Sequence, residues 1–173
     1  MTALRRIQTR QLTDRQGPDE HPIVSPDGKL IAYLGHDDQL QAYEVTRLYV
    51  MDRNGKRIRE PTNEFDRAVG APVWDAEGRG INFQYDDKGN TKLAHIDLES
   101  GELRTLVGDV GGVSLGRPYS SGSFSVAENG SIAFTHTRPA HPSDVACLTA
   151  NSAAPHRVTR LNDDLFGHKQ LGE

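Results

Sequence analysis

The chain has 173 residues, a length that suits one domain or part of a larger repeat array. Its net charge of −4 mixes both signs without a basic face, which argues against a nucleic-acid partner, and its single cysteine excludes an intramolecular disulfide. No apolar run approaches the ~20 residues of a transmembrane helix, and no signal-peptide pattern opens the chain. We therefore expect a soluble protein without a membrane partner, and the sequence leaves the cytoplasm and the periplasm equally open.

The first elements in chain order are a lone strand and a hairpin. Residues 10–13 resemble an isolated fourth strand with no repeat unit before it. After them, the turn Ser25-Pro26-Asp27-Gly28 separates two short apolar runs. Proline presets φ for such a turn and glycine accepts a positive φ at no steric cost, so this stretch predicts a β-hairpin.

The hairpin is the first copy of a repeat. Its turn glycine, Gly28, has counterparts at Gly78 and Gly130, at spacings of 50 and 52 residues. Around each glycine the same order of strands and turns recurs, which predicts four antiparallel strands per unit. The predicted units cover residues 21–62, 71–107 and 121–161, with Trp74, Phe83, Tyr33 and Phe134 as core side chains.

This period predicts an all-β fold of β-propeller blades. Units of roughly 40–50 residues with four strands are typical of blades, each of which buries its faces only against its neighbours. A two-sheet β-sandwich is the competing architecture, but it has no reason to repeat its turn residues at equal spacing. Propellers close with about 4–8 blades, and three form only a partial propeller. We therefore expect either a piece of a longer protein or self-association that covers the two open flanks.

Several motifs together resemble the blade repeats of the prolyl oligopeptidase (S9) family of serine peptidases, in its acylaminoacyl-peptidase and dipeptidyl-peptidase-like branch. The resemblance runs from Arg10 to Glu173, and the turn motif occurs in TolB-type propellers as well. The motifs are Pro22-Ile23-Val24-Ser25-Pro26-Asp27-Gly28-Lys29-Leu30-Ile31-Ala32-Tyr33, Leu48-Tyr49-Val50-Met51-Asp52, Pro72-Val73-Trp74 and Arg157-Val158-Thr159-Arg160-Leu161-Asn162.

The resemblance implies a propeller that gates or selects peptide substrates for an α/β-hydrolase domain of the same polypeptide. Residues 162–173 then look like a linker toward that domain, and the Ser-Asp-His triad lies beyond this chain. No catalytic residue is therefore assigned here, and the parent protein is expected to be a serine peptidase, a hydrolase. The alternative is a stand-alone TolB-like propeller that serves as a scaffold or protein-binding module.

One stretch matches the residue pattern of a catalytic motif but not the structural context that the motif requires. Gly112-Val113-Ser114-Leu115-Gly116 has the form G-x-S-x-G of a nucleophile elbow. That elbow needs a helix immediately after its serine, and the proline and glycines that follow exclude one, so we interpret the match as chance. The seven histidines and one cysteine form no metal-binding motif, so we expect neither a metal nor another cofactor.

Arg117 and Tyr119 are the candidate substrate-binding residues. They lie in a glycine-rich connection between two predicted blades, where a propeller can aim side chains toward its central channel. An arginine fork suits a peptide carboxylate, which is the functional interpretation. The alternative is a structural loop whose arginine pairs with a nearby acidic turn.

Overall fold

A computed structural model describes residues 8–112 and 121–172 and places three antiparallel blades along the chain. No helix in this part is long and apolar enough to cross a membrane. Blade 1 contains β1 (Asp19–Val24), β2 (Leu30–Gly35) and β3 (Arg47–Asp52). Blade 2 contains β4 (Val69–Trp74), β5 (Gly80–Asp87), β6 (Asn90–Asp97) and β7 (Leu103–Val110). Blade 3 contains β8 (Phe124–Val126), β9 (Ile132–Arg138), β10 (His141–Leu148) and β11 (His156–Arg157), and α1 (Asp163–Phe166) follows it.

The repeated turn joins the first two strands of every blade. Gly28, Gly78 and Gly130 have φ values of 71°, 67° and 79°, a region in which a β-carbon is strained. Each glycine N–H donates to the carbonyl oxygen three residues earlier, at 2.8, 3.1 and 2.9 Å respectively. The predicted propeller-type repeat is therefore confirmed at the level of its turn geometry.

The blades are antiparallel meanders. Blade 1 forms a sheet of its own in the order β1-β2-β3. Blades 2 and 3 are assigned to one sheet because Val110, at the end of β7, pairs with His136 of β9. Within blade 2, β5 and β6 pair along their full length through a tight turn at Lys88-Gly89, where both residues have positive φ.

Blade 1 differs from the prediction because its fourth strand is reduced to a single bridge. Arg59 exchanges two backbone hydrogen bonds with Val50 at 2.9 Å, and Pro61 then removes the next donor. Side chains replace the missing ladder. Thr62 Oγ1 accepts the Leu48 N–H at 2.9 Å.

One further prediction of local structure is wrong. The structure has no strand at residues 10–13; this segment instead crosses one face of blade 1 through side-chain contacts. The proline-containing stretch 138–142 forms the turn of the β9–β10 hairpin, in which Arg138 pairs with His141. A bulge between His141 and Asp144 accommodates Pro142, which has no N–H to donate.

The core lies between the blades, as their half-buried faces require. One apolar cluster joins blades 1 and 2 and includes Phe83, which is fully buried, and Trp74. Trp74 also donates its indole N–H to the Ile23 carbonyl at 3.2 Å, which ties β4 to β1. A second cluster joins blades 2 and 3 around Phe134 and Leu93. Trp74, Phe83 and Phe134 are thus buried between blades as predicted. Tyr33, which was predicted to lie there as well, is instead buried on the opposite face of blade 1 with Tyr49 and Met51.

Asp144 stabilises the last strand of blade 3 and the residues that follow it. Its side chain is buried and accepts the Leu161 N–H at 2.9 Å and the Thr159 hydroxyl at 2.8 Å. Arg157 Nε lies 2.6 Å from the other carboxylate oxygen, at an angle that makes the contact ionic rather than a hydrogen bond. Burial opposes ionisation, but the Leu161, Thr159 and Arg157 contacts outweigh it and lower the pKa of Asp144.

Asp144→Asn is expected to lower the free energy of unfolding by about 2 kcal/mol, because a buried ion pair and part of its hydrogen bonding are lost. Urea denaturation at pH 7 measures this loss. Because the pKa of Asp144 is lowered, its contribution is present above the ordinary value of 3.8 and disappears as the pH falls below it. The difference between the two proteins should therefore shrink in acid.

The exposed Asp164 of α1 provides the matched control. Asp164→Asn should change the free energy of unfolding by less than about 0.5 kcal/mol. Equal losses in the two variants at pH 7 would contradict the role assigned to Asp144.

Candidate functional site

The first strands of the three blades converge on one concave surface, which we name the inner groove. It has a volume of about 370 Å³. Strands β1, β4 and β8 each form the inner edge of their blade, so they contribute side by side to its wall. The lining is mainly apolar and consists of His21, Pro22, Ile23, Ala71, Pro72, Val73, Gln84, Gly122, Ser123 and Phe124.

A left-handed residue recurs at the same place in each blade beside this groove. His21, Ala71 and Ser121 have φ values of 50°, 47° and 60° and lie 50 residues apart in the sequence. In β1 and β4 the residue sits in a β-bulge and is followed directly by a proline. Such a conformation costs on the order of 1–3 kcal/mol for a residue other than glycine, and it persists only where the surrounding structure holds it.

The bulges protect the inner edges of blades 1 and 2. Pro22 and Pro72 have no N–H, and a bulge twists an edge away from a straight partner, so neither edge is suited to accept an added strand. Blade 3 exposes only the three-residue strand β8 at this position. Gln84 closes the wall between blades 2 and 3 by donating its side-chain amide to the Gly122 carbonyl at 2.9 Å.

A larger cleft of about 660 Å³ opens between the turn ends of blades 2 and 3. Its wall combines carboxylates, such as Glu128, with the guanidinium groups of Arg79 and Arg104. His95 lies inside it, with Nε2 3.2 Å from an oxygen of Asp75. Within the described residues His95 makes no other side-chain hydrogen bond, so the pair lacks the adjacent nucleophile that a catalytic triad requires.

The sequence-based candidates precede two residues of the inner groove in the sequence. Arg117, Tyr119 and Ser114 lie among residues 113–120, outside the described residues. The next residues, Gly122 and Ser123, line the groove. Among residues 8–112 and 121–172, no three His, Cys, Asp or Glu side chains converge as a metal site would require.

The inner groove was missed by the sequence analysis. Its signal was present in the dipeptides His21-Pro22 and Ala71-Pro72, which occupy matching positions in two repeats. A residue before proline favours extended backbone, so the left-handed φ values depend on bulge geometry that the dipeptides alone do not reveal.

Two histidines, the buried His136 and the half-buried His141, lie at the turn end of the β9–β10 hairpin. The rings of His136 and His141 have centroids 5.0 Å apart, and His136 Nδ1 is buried without a hydrogen-bond partner. Burial, followed by the nearby His141 and Arg138, lowers the pKa of His136. The folded protein therefore favours the neutral imidazole of His136.

The sequence was compared with protein families and with curated proteins. No protein-family profile matches the chain. A curated relative, dipeptidyl-peptidase 5 of Porphyromonas gingivalis, is 30% identical over 148 residues, which are 84% of this chain and 20% of the relative. The chain thus spans about one fifth of the length of the relative it matches. The chain is similar to the propeller portion of the prolyl oligopeptidase (S9) family.

Solved structures show the same fold for this S9-type propeller portion. The β-propeller domain of the trilobed protease from Pyrococcus furiosus matches with a TM-score of 0.57 at 21% identity, over 81% of this chain and 38% of that one. Pyrococcus horikoshii acylaminoacyl peptidase matches with a TM-score of 0.61 at 16% identity, over 87% of this chain and 21% of that one. TolB from Acinetobacter baumannii matches with a TM-score of 0.63 at 18% identity, over 87% of this chain and 34% of that one. The predicted partial β-propeller is therefore confirmed.

His136→Phe is expected to make this S9-type propeller portion less sensitive to acid. Because the folded-state pKa of His136 lies below its ordinary value of 6.5, its neutral form stabilises the fold at neutral pH. That stabilisation is lost as the pH falls below 6.5, where the unfolded chain binds the proton more readily. Urea denaturation at pH 7.5 and pH 5 should show a smaller loss for the variant than for the wild type.

The exposed His156 serves as the matched control. His156→Phe should retain the acid sensitivity of the wild type. If His136→Phe retains it as well, the sensitivity arises elsewhere and the prediction is wrong.

Proposed function

We propose that this chain is a non-catalytic propeller portion that gates or selects peptide substrates for an α/β-hydrolase domain of the same polypeptide. The observation that carries the proposal is the inner groove, a concave wall to which all three blades contribute their first strand. The relationship to dipeptidyl-peptidase 5 supports a peptidase as the whole protein. Residues 162–173 are then the linker toward the hydrolase domain.

The chemistry of the groove suits the passage of extended peptides. Its prolines and Phe124 offer apolar contact to side chains, while the bulged edges at Pro22 and Pro72 offer no ladder of hydrogen bonds to a peptide backbone. A peptide in contact with this wall is therefore not captured as an additional strand. Transit without capture is the property that a gate for a hydrolase requires.

Arg117 and Tyr119 are proposed to contact the substrate in this arrangement. They lie five and three positions before the wall residue Gly122 in the sequence, and a guanidinium can form two parallel hydrogen bonds with a peptide carboxylate. In the longer polypeptide, Arg117→Ala should raise KM for peptides with a free C-terminal carboxylate more than for amidated ones. Unchanged turnover of both kinds of peptide would show that Arg117 does not bind the substrate carboxylate.

A second candidate function is a TolB-like scaffold or protein-binding module. The TM-score of 0.63 with TolB favours it at the level of fold. The two functions differ in what the gene encodes after Glu173. An open reading frame that continues into roughly 250 residues with a nucleophile elbow, Asp and His supports the gate, whereas a stop codon there supports the scaffold.

Narrowing the groove tests the gate directly. His21 is exposed at the groove and already has a left-handed φ, so His21→Trp adds bulk at an existing bulge. In the longer polypeptide, kcat/KM for a decapeptide should fall about tenfold, equal to about 1.4 kcal/mol in the barrier. A chromogenic dipeptide substrate should be hydrolysed at a nearly unchanged rate, because a small molecule passes a narrowed gate.

His168→Trp, at an exposed position that does not line the groove, is the control and should leave both substrates unaffected. Equal losses for long and short substrates in His21→Trp would show a general defect rather than gating. The 173-residue chain alone should neither hydrolyse peptides nor react with a fluorophosphonate, and labelling of Ser114 would overturn its non-catalytic role.

Self-association of the chain by itself is the remaining part of the proposal. A three-blade array has two flanks, and exposed sheet faces and edges promote contact between molecules. Sedimentation velocity over a range of concentrations should therefore show reversible association. A compact monomer at every concentration would contradict it.

A further inference from the structure

The cleft between the turn ends of blades 2 and 3, which we name the turn-end cleft, has one polar wall. Its volume is about 660 Å³, and none of its lining residues lines the inner groove. The polar wall is a row of cross-strand neighbours on blade 2, namely Asn82 on β5, His95 on β6 and Arg104 on β7. A cavity of this size accommodates a small ligand.

The wall contributed by blade 3 is apolar. Val126, Ile132 and Leu148 form a cross-strand row on β8, β9 and β10. All three line the cleft and belong to, or pack against, the apolar cluster between blades 2 and 3. Glu128, in the turn after β8, is exposed and lines the cleft as well. The cleft therefore suits a molecule that carries both an apolar part and polar groups.

The polar wall occurs in only one of the three described blades. A backbone hydrogen bond that closes each repeated turn aligns the blades, since it is accepted by the carbonyls of Leu30, Gly80 and Ser131. Two residues beyond each acceptor, a residue of the second strand pairs with one of the third strand. These pairs are Ala32–Val50 in blade 1, Asn82–His95 in blade 2 and Ala133–Cys147 in blade 3. Because the other two blades form without an amide and an imidazole here, the fold itself does not require them.

The apolar wall is also smaller than its counterpart in the other blade interface. Trp74, the last residue of β4, pairs with Ile81 and packs between blades 1 and 2. Val126, the last residue of β8, pairs with Ile132 at the matching position between blades 2 and 3. A valine has a much smaller side chain than a tryptophan, so the second interface is not filled at its turn end. This difference in volume opens the cleft.

Asn82 is a buried polar residue that lines the cleft. It is 4% exposed, and within residues 8–112 and 121–172 its side-chain amide makes no hydrogen bond. A buried amide without a partner destabilises a fold, and a ligand that pairs with it removes that penalty. The amide offers both a donor and an acceptor, which are the two groups that a peptide bond also offers. Asn82 is therefore suited to bind a peptide group.

Most charged groups of the cleft already have partners within the protein. An Asp75 oxygen lies 3.2 Å from His95 Nε2, and Glu77 forms an ion pair with Arg79. Asp97 accepts two backbone N–H groups of its own turn, at 3.0 and 2.7 Å. These carboxylates are therefore less available to a ligand than a free one.

Arg104 and Glu128 are the charged groups of the cleft that remain. Neither forms a side-chain ion pair with another described residue, and both are exposed. The matching arginine of blade 1, Arg59, instead donates to the Leu98 carbonyl of blade 2 at 2.7 Å. Since Arg104 lies on blade 2 and Glu128 on blade 3, a ligand between the walls meets a cation on one side and an anion on the other.

We propose that the turn-end cleft binds a short peptide of two or three residues with free termini and an apolar side chain. Arg104 binds the C-terminal carboxylate, the Asn82 amide pairs with a peptide group, and Glu128 binds the ammonium. Val126 and Leu148 contact the apolar side chain. Neighbouring strands lie about 4.8 Å apart, so Asn82 and Arg104 are two such spacings apart, a distance that a peptide of this length spans. The site is separate from the inner groove and does not rest on gating.

Calorimetric titration of the 173-residue chain with alanyl-leucine and alanyl-alanyl-leucine tests the proposal. At least one of the two peptides should bind saturably. Its C-terminal amide should bind about tenfold more weakly, because the charge-assisted hydrogen bonds to Arg104 are lost. The matching peptide with glycine in place of leucine should also bind about tenfold more weakly, because it lacks the apolar side chain. No saturable binding, or equal binding of all these peptides, overturns the proposal.

Two substitutions in the polar wall distinguish a ligand site from a structural one. Arg104→Gln should weaken binding about tenfold, whereas Arg53→Gln, which removes an exposed positive charge away from the cleft, should bind like the wild type. Asn82→Ala introduces the residue that blades 1 and 3 have at this position. It should weaken binding while the urea midpoint stays the same or rises, because residues kept for binding often reduce stability. A lower midpoint with intact binding would make Asn82 structural and overturn its role.

Filling the cleft identifies it as the place of binding. Val126→Trp introduces the side chain that Trp74 supplies between blades 1 and 2, and it should abolish binding. Val158→Trp, at an exposed valine that does not line the cleft, should leave binding unchanged. Undiminished binding in a folded Val126→Trp protein would exclude the cleft, and Arg104→Gln, an exposed substitution, provides the test if that variant does not fold. These measurements do not use peptidase activity, so failure of this proposal and failure of the gating proposal are distinguishable.

Discussion

The packing of one blade face against the next is the constraint on which this structure depends. A single antiparallel blade exposes two faces, and neither is stable in water when it carries residues such as Phe83 or Leu34. The Trp74 indole, buried against blade 1 and hydrogen-bonded to Ile23, fixes the distance at which two blades meet. Once that spacing is set, the first strands come together and form the inner groove.

The same constraint explains the two ends of the array. Each terminal blade has one face without a neighbouring blade in the described chain, and the two ends solve the problem differently. Blade 1 buries Tyr33 and Tyr49 beneath Leu12 and Arg15, whereas blade 3 places small residues on its outer face and leaves Val158 exposed. A large apolar face requires cover even in isolation, while a face of small residues is tolerated in water until a partner arrives.

The fold was largely predictable and the site was not. The turn glycines determine a repeat, because only glycine adopts their φ without strain, and this repeat identified the blades. The missing fourth strand of blade 1 could not be predicted, because Thr62 replaces a backbone partner through a side-chain oxygen that no local pattern announces. Residues 10–13 do not form the predicted strand for a related reason: Leu12 is held by tertiary contacts and not by strand pairing.

The repeat, the all-β class and most core side chains follow from local sequence, since turn chemistry and apolar alternation are local properties that recur in every repeat. Which surfaces lie together depends instead on tertiary contacts. The left-handed backbone at His21 and Ala71 contradicts the local preference of a residue before proline, and it is held by the bulges within each blade. The groove between those bulges exists only when blades stand side by side, because its wall is assembled from residues about 50 positions apart in the chain.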